Sequence, residues 1–176
     1  MPLVEVVAGA GTAEETVQTT MRFCRNIGKK PVRVNIDAPG FIGNRMLHAT
    51  WREATSIVER GNASAEDVDT AAKMTFGLRL PVVGPLENMD LVGLDLIHTI
   101  HRYLLADLSA NQGPGRLLNE LVGKGQSGMK SGSGFYDWSK RAPAALIEAR
   151  DWQIARELKR LRGEKRDESS GGDKQG

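Results

Sequence analysis

The first 36 residues alternate between strand-like and helix-like patterns of apolar positions. Residues 3–7 are mostly apolar and β-branched, which predicts a strand. Apolar side chains then recur at helical spacing, at Val17, Met21, Cys24 and Ile27. Residues 31–36 return to a strand pattern. Together they predict a β-α-β unit over residues 1–37, which needs further strands beside it to cover both faces.

After Pro39-Gly40 the apolar spacing is helical to the end of the patterned region. It predicts helices over residues 41–60, from Ser64 onward, over 86–105 with a candidate break near Gly93, over 117–122 and over 144–162. Residues 77–84 are a connector, and residues 163–176 contain no apolar side chain, which predicts a disordered tail. The expected fold is mainly α, an all-helical domain over 38–162 preceded by a residual strand-helix-strand of a truncated Rossmann-type domain.

The turn after the first strand imitates a dinucleotide-binding loop. Gly9 and Gly11 stand between a strand and a helix, but Glu14 takes the place of the third small residue. A carboxylate there suits the helix dipole and would repel a pyrophosphate. We therefore expect no cofactor at this loop, and interpret Thr12 and Glu15 as a capping box that starts the helix.

Composition narrows the class of protein. The formal net charge is +2, and the basic stretch at residues 159–162 lacks interleaved aromatic residues, so we expect no nucleic-acid partner. Cys24 is the single cysteine, and no apolar run approaches membrane-spanning length. These features favour a cytoplasmic protein without a membrane partner.

Two polar residues are candidates for chemistry, and pattern alone leaves both open. Glu5 interrupts the first strand, so it either faces solvent or has a partner such as a histidine that it orients. Asn44 lies in the first turns of the long helix and is either merely exposed or directed into a cleft. For Arg45 we favour a structural role. His98 and His101 are three residues apart, but no third ligand at recognisable spacing supports a metal site.

Several segments, taken in order, resemble one enzyme family. They are residues 2–7, 28–32, 37–45, 53–54 with 59–64, 66–69, 84–87 and 130–137, the surest being Asp37-Ala38-Pro39-Gly40-Phe41-Ile42-Gly43-Asn44-Arg45. This series resembles the NAD-dependent 3-hydroxyacyl-CoA dehydrogenases, in particular the 3-hydroxybutyryl-CoA type. The resemblance covers about residues 2–140 and identifies the chain with the C-terminal portion of that family.

The resemblance implies roles for both candidates. In the family a histidine base removes the proton of the substrate 3-hydroxyl as hydride passes to NAD. Glu5 corresponds to the glutamate that hydrogen-bonds this histidine, and Asn44 to the asparagine near the reacting part of the substrate. The helices are expected to form a homodimer contact and one wall of the acyl cleft.

The resemblance also implies what the chain lacks. In the family the catalytic histidine and the glycine-rich NAD loop precede the Leu-Val-Glu segment, so we expect neither here, and His48, His98 and His101 do not replace that histidine. NAD is expected in the complete enzyme, with no cofactor for this chain alone. The chain alone is then expected to be inactive, and a separate NAD-binding chain becomes a possible partner. A non-catalytic dimerisation module is the alternative.

Residues 76–83 depart from the acyl-CoA enzymes. Together with residues 84–87 and the late helix around Trp152, they look nearer the lambda-crystallin and gulonate or carnitine dehydrogenase branch. Arg79 would then meet the carboxylate of a small free 3-hydroxy acid, because a guanidinium pairs well with one. The competing interpretation is a surface arginine that closes a helix end.

Overall fold

The computed structural model describes residues 1–161 and Gly163. The chain begins with strand β1 (Leu3–Val7), helix α1 (Glu14–Asn26) and strand β2 (Lys30–Val34). The strands are parallel, with Glu5 opposite Val32. The helix lies across the pair and buries Val17, Met21 and Cys24, three of the four apolar residues at helical spacing, in a small core with Val6 and Val34. The fourth, Ile27, follows the end of the helix and is 54 % exposed. The predicted β-α-β unit is therefore present, although β2 ends two residues earlier than expected.

The start of α1 differs from the prediction. Its N-cap is Ala13, which makes no side-chain cap, so the capping box of Thr12 and Glu15 is wrong. The Thr12 hydroxyl instead accepts a hydrogen bond from the Gly9 backbone N–H at 3.1 Å. Thr12 also donates its own N–H to the Gly9 carbonyl at 3.0 Å. The threonine closes the preceding turn, and its hydroxyl is turned away from the helix that it was predicted to cap.

The rest of the described chain is helical. It contains helices α2 (Gly43–Glu59), α3 (Ala65–Met74), α4 (Phe76–Arg79), α5 (Pro85–Val92), α6 (Leu94–Asp107), α7 (Arg116–Gly123) and α8 (Pro143–Leu161), with 3-10 turns at Met129–Ser131 and Trp138–Lys140. This arrangement confirms the mainly α fold class. The predicted connector at 77–84 contains one short helix, α4. The predicted disordered tail and the last residue of the final helix, Arg162, lie outside the described residues, apart from Gly163.

Two helix boundaries follow the sequence signals closely. Ser64 caps α3, because its hydroxyl accepts the Asp67 N–H at 3.1 Å. The predicted break at Gly93 separates α5 from α6, and this glycine has a φ of +105° that other residues adopt only with strain. A Cβ at Gly93 would lie 2.9 Å from Asp95 Oδ1. The glycine therefore permits the two helices to meet at an angle.

Almost every residue of the helical part is at least partly exposed to solvent. Between residues 38 and 161, Ser109 is the only residue classed as buried. Leu91 is 76 % exposed and Trp51 is 52 % exposed. The helices α2 to α8 therefore leave several large apolar side chains in contact with water.

None of the helices in the described part of the chain is both long enough and apolar enough to cross a bilayer.

Candidate active site at the start of helix α2

The segment that leads into α2 has an unusual backbone. Gly40 has a φ of +80°, and Phe41 is the one non-glycine residue with positive φ, at +47°, within the described chain. A left-handed residue other than glycine is strained and persists only where its surroundings hold it. The Phe41 N–H donates to the Ala38 carbonyl at 3.0 Å. This turn sets the direction in which α2 leaves the β-α-β unit.

Glu5 holds the start of α2. Its Oε1 accepts hydrogen bonds from the backbone N–H groups of Ile42, at 2.8 Å, and Gly43, at 3.0 Å. The helix has no side-chain cap of its own and no acidic residue in its first turn. The carboxylate therefore satisfies two N–H groups that lack intrahelical partners, and its charge lies at the positive end of the helix dipole.

This geometry gives Glu5 a role that the sequence did not reveal. The carboxylate is half-buried and partnered, so the interpretation as a solvent-facing residue of an edge strand does not describe it. Both bonds end on Oε1, and within residues 1–161 no hydrogen bond reaches Oε2. Its predicted partner, a histidine, is not among its contacts. The helix cap and the orientation of a histidine are compatible, because they use different oxygens.

Asn44 follows directly and lines an open groove of about 980 Å³. Basic side chains occupy the same lining, on one face of α2, at Arg45, His48 and Arg52. Arg45 Nη1 also donates to the Pro39 carbonyl at 3.4 Å, which ties it to the turn as its structural interpretation predicted. The end of the groove nearest Asn44 is therefore positively charged, and suits a ligand with anionic or hydrogen-bond-accepting oxygens.

The opposite wall of the groove is the loop at residues 111–115, which two glutamates of α2 hold in place. Glu53 Oε2 accepts the N–H of Ser109 at 2.7 Å. Glu59 Oε2 accepts the N–H of Leu117 at 2.9 Å. Neither glutamate was predicted to have a functional role, although both lie in segments that resemble the enzyme family. No pattern near either residue signals this role, because their hydrogen-bond partners are more than 50 residues away in the chain.

A second, apolar cavity of about 390 Å³ adjoins this groove. It lies between α2, α3, α7 and the aromatic residues Phe135 and Tyr136. Trp51, Thr55 and Leu118 line both the cavity and the groove. The two spaces are therefore neighbours that share a wall, and whatever fills the apolar cavity also shapes the groove next to Asn44.

Tyr136 closes one side of the apolar cavity. Its hydroxyl donates to Asp69 Oδ2 at 2.7 Å and lies 3.0 Å from the Ala65 carbonyl oxygen. The Arg141 guanidinium stacks on its ring, 3.5 Å from the centroid. Desolvation, followed by the hydrogen bond to Asp69, raises the pKa of Tyr136 to about 12. The tyrosine thus fastens the loop before α8 to helix α3.

Arg79 is not brought to this site. It is exposed at the end of α4, lines neither cavity, and makes no ion pair with the described residues. Its proposed contact with a substrate carboxylate therefore stays a prediction. His48 lies in the groove and packs edge-on against Trp51 at 4.9 Å, whereas His98 and His101 are exposed on α6. No group of three metal-ligating side chains occurs within the described residues.

The β-α-β unit does not fit a dinucleotide pyrophosphate. Glu14 lies in the first turn of α1, where a phosphate would receive backbone hydrogen bonds, and it pairs with Arg33 at 2.7 Å. The hydrogen bonds from Arg33 and then from Gln18 lower the pKa of Glu14, so it is ionised at neutral pH. A fixed negative charge at this position would repel a phosphate. The sheet has only two strands in the described part of the chain.

Comparison with protein families places both parts of the chain. Residues 40–138 match the 3-hydroxyacyl-CoA dehydrogenase, C-terminal domain. Residues 1–37 match the 3-hydroxyacyl-CoA dehydrogenase, NAD binding domain. A curated relative, 5-formyl-3-hydroxy-2-methylpyridine 4-carboxylate 5-dehydrogenase of Mesorhizobium japonicum, is 38 % identical over 146 residues, covering 83 % of this chain and 47 % of the relative. The chain thus spans about half the length of the curated relatives that it matches.

Solved structures agree with this assignment. The crystal structure of a 5-formyl-3-hydroxy-2-methylpyridine 4-carboxylic acid 5-dehydrogenase, an NAD+ dependent dismutase, superposes with a TM-score of 0.86 at 36 % identity, covering 93 % of this chain and 53 % of that one. The (S)-3-hydroxybutyryl-CoA dehydrogenase of Ralstonia eutropha superposes with a TM-score of 0.55 at 34 % identity, covering 80 % and 48 %. The chain belongs to the NAD-dependent 3-hydroxyacyl-CoA dehydrogenase family, as its ordered motifs predicted.

Proposed function

We propose that this chain is the substrate-facing and dimerisation part of a 3-hydroxyacyl-CoA dehydrogenase, which oxidises the 3-hydroxyl of a substrate such as 3-hydroxybutyryl-CoA. The observation that carries the proposal is the position of Asn44, in the lining of an open groove and one residue beyond the backbone N–H that Glu5 holds. The carboxylate and the amide therefore belong to one rigid helix end. Such an end suits the positioning of a reacting group.

Each residue has a distinct part in the proposed mechanism. Glu5 keeps Oε1 on the helix and offers Oε2 to the histidine base of the nucleotide-binding part, where a carboxylate stabilises the protonated imidazole. Asn44 donates its side-chain N–H to the substrate oxygen that changes from hydroxyl to carbonyl. No step is assigned to the Gly9–Gly11 loop, because Glu14 and its two-stranded sheet do not fit a pyrophosphate.

The 176-residue chain alone is proposed to lack hydride transfer, with NAD bound by a complementary nucleotide-binding part. Mixing the chain with that part as a separate polypeptide is expected to restore reduction of NAD by 3-hydroxybutyryl-CoA, measured by absorbance. Asn44→Ala should lower kcat/KM at least ~10-fold, since it removes one donor to the reacting oxygen. Asn62→Ala, an exposed residue beyond α2, is the matched control. Oxidation of the substrate by the chain alone would overturn this assignment.

A small free hydroxy acid is the second candidate substrate. Arg45 and Arg52 place positive charge in the groove that Asn44 lines, which favours a substrate with a carboxylate. The relative that superposes at 0.86 has a pyridine carboxylate in its name. Titration by calorimetry with acetoacetyl-CoA and with a free 3-hydroxy acid separates the two. If neither ligand binds the assembled protein, the alternative of a non-catalytic helical module is favoured.

We also propose that the helical part forms a homodimer. Many large apolar side chains of the helical part are exposed, and exposed apolar patches mark interaction surfaces. Leu91, Leu96 and Leu105 are each at least half exposed. Light scattering during size-exclusion chromatography should give twice the mass of the chain, and a monomeric mass at micromolar concentration would contradict the proposal.

A further inference from the structure

We infer that Arg52 is a specificity residue of the groove, and that its guanidinium binds an anionic group, a carboxylate or a phosphate, which the substrate carries at a distance from its reacting 3-hydroxyl. This role rests on the proposed function and narrows the substrate to compounds with such a distal charge. Arg52 lies on α2, in the lining of the groove of about 980 Å³ that Asn44 also lines.

The Arg52 guanidinium has no ion-pair or hydrogen-bond partner among the described residues. By contrast, Arg33, Arg60 and Arg116 each pair with a carboxylate, at 2.7, 3.4 and 2.8 Å. On a helix, the side chains within reach of an arginine stand three and four residues away on either side. The residues at those positions are His48, Ala49, Thr55 and Ser56. None of them is acidic, so α2 itself leaves the Arg52 charge unbalanced.

The rest of the groove offers no available carboxylate either. Of the described residues that line it, Glu59 alone is acidic. Its Oε2 accepts the Leu117 N–H at 2.9 Å, and its Oε1 lies 3.6 Å from Arg116 Nε. Both oxygens of Glu59 are therefore engaged by the segment on the opposite wall. An arginine in such a groove is available to an anionic group from a ligand, because its N–H donors have no competing acceptor.

The position of Arg52 relative to Asn44 sets the distance of that anionic group from the reacting carbon. Eight residues of helix place the two side chains about 80° apart around α2 and about 12 Å apart along its axis. Long helical side chains lean back toward the N-terminus, so the guanidinium reaches a group roughly 6–12 Å from the Asn44 amide. Arg45 is the neighbour of Asn44 and suits a charge close to the reacting carbon. Only a longer arm of the substrate reaches Arg52.

Two kinds of substrate arm carry an anionic oxygen group far from the 3-hydroxyl. One is the carrier arm of a thioester, which ends in phosphates, and the other is an acyl chain that ends in a carboxylate. A guanidinium binds both groups through paired N–H donors, so the shared chemistry is the anionic oxygen. The groove of about 980 Å³ is large enough for either arm.

Calorimetric titration of the 176-residue chain with three ketoacyl ligands tests this role and separates the two arms. Acetoacetyl-CoA carries phosphates, acetoacetyl-pantetheine is the same thioester without them, and 3-oxosuberyl-pantetheine has a terminal carboxylate. Arg52→Met should leave the dissociation constant of acetoacetyl-pantetheine nearly unchanged. It should raise that of acetoacetyl-CoA at least ~10-fold if a phosphate binds, or that of 3-oxosuberyl-pantetheine by as much if a carboxylate binds.

Two further variants and the salt concentration control for structural effects. Arg52→Lys should restore most of the lost affinity, because it returns the positive charge. Arg102→Met removes an exposed arginine of α6 that lines neither cavity, and should change none of the three dissociation constants. At an ionic strength of about 0.5 M the difference between the wild-type chain and Arg52→Met should shrink, since salt screens an exposed charge pair.

Equal changes for all three ligands in Arg52→Met, or no change for any, would overturn the proposed role, because a merely structural effect does not depend on the charge of the ligand. A wild-type chain that binds none of the three would overturn it as well. Turnover of the chain assembled with its nucleotide-binding part tests the proposed function separately. Turnover with an unchanged KM in Arg52→Met would refute the role of Arg52 and leave the function standing. Charge-dependent binding without turnover would refute the function and leave the anion site standing.

Discussion

Removal of the Glu5 carboxylate tests the link between strand β1 and helix α2. In the folded chain Oε1 accepts two backbone N–H groups at 2.8 and 3.0 Å. Glu5→Ala leaves both donors without a protein partner and removes a negative charge from the positive end of the helix dipole. Glu5→Gln keeps an acceptor oxygen and removes only the charge. The pair of variants therefore separates hydrogen bonding from charge.

The magnitude follows from the geometry. Hydrogen bonds to a charged group contribute about 1.5–3 kcal/mol each when they are protected from water. Glu5 is only half-buried, so water reaches the freed N–H groups, and we expect Glu5→Ala to cost about 2 kcal/mol in all. Glu5→Gln should cost about 0.5–1 kcal/mol, the value of a charge at a helix end.

Equilibrium urea unfolding at one fixed protein concentration measures both values, because assembly makes stability depend on concentration. Hydrogen exchange gives a local readout: the Ile42 and Gly43 amides should exchange about 30-fold faster in Glu5→Ala, the factor that 2 kcal/mol represents. Glu148→Ala, at an exposed position in α8, is the control. A loss below about 0.5 kcal/mol with unchanged exchange at both amides would refute the capping role.

Two further predictions concern the helical part. Because the pKa of Tyr136 is raised to about 12 from an ordinary value of 10, the folded state keeps its proton longer than the unfolded state, so stability falls as pH rises from about 10 to 12. The Tyr103→Phe variant has Tyr136 as its one tyrosine, so absorbance at high pH should show titration near 12, and titration near 10 would contradict the raised pKa. Tyr136→Phe should lose the decline in stability between pH 10 and 12. Gly93→Ala should lower the free energy of unfolding by about 1–3 kcal/mol, since φ is +105° and the new Cβ meets Asp95. Gly123→Ala, at a helical position with open space around it, is the control and should leave thermal unfolding nearly unchanged. Equal losses for the two alanines would show that the backbone at Gly93 is not strained.

The helix boundaries were predicted correctly where the residues that determine them lie within a few positions of one another. Ser64 caps α3 through a residue three positions away, and Gly93 breaks the helical run with its own backbone. The prediction that Thr12 caps α1 was wrong, although this signal is also local. The hydroxyl can accept a hydrogen bond either from a backbone N–H of the following helix or from one in the preceding turn, and it accepts from Gly9 in the turn. Sequence spacing does not distinguish such competing local bonds.

The residues of the candidate site were predicted only in part. Resemblance singled out Glu5 and Asn44, but only the structure showed that the carboxylate of Glu5 caps a helix 37 residues later. It also showed that Glu53 and Glu59 hold the opposite loop, and that Arg79 lies away from the groove. Those facts depend on how helices are placed relative to one another, which hydrophobic periodicity does not specify.

The sequence by itself therefore determined most of the element types, the strand-helix-strand start, the change to helices after Gly40 and the family. These follow from the periods of apolar side chains, from glycine and proline conformations and from an ordered set of motifs. The tertiary structure alone decided which donors meet Glu5, that the groove and the apolar cavity share Trp51, and how much apolar surface the helices leave uncovered. The physical reason is that contacts between residues distant in the chain depend on packing, and packing is a property of all the elements together.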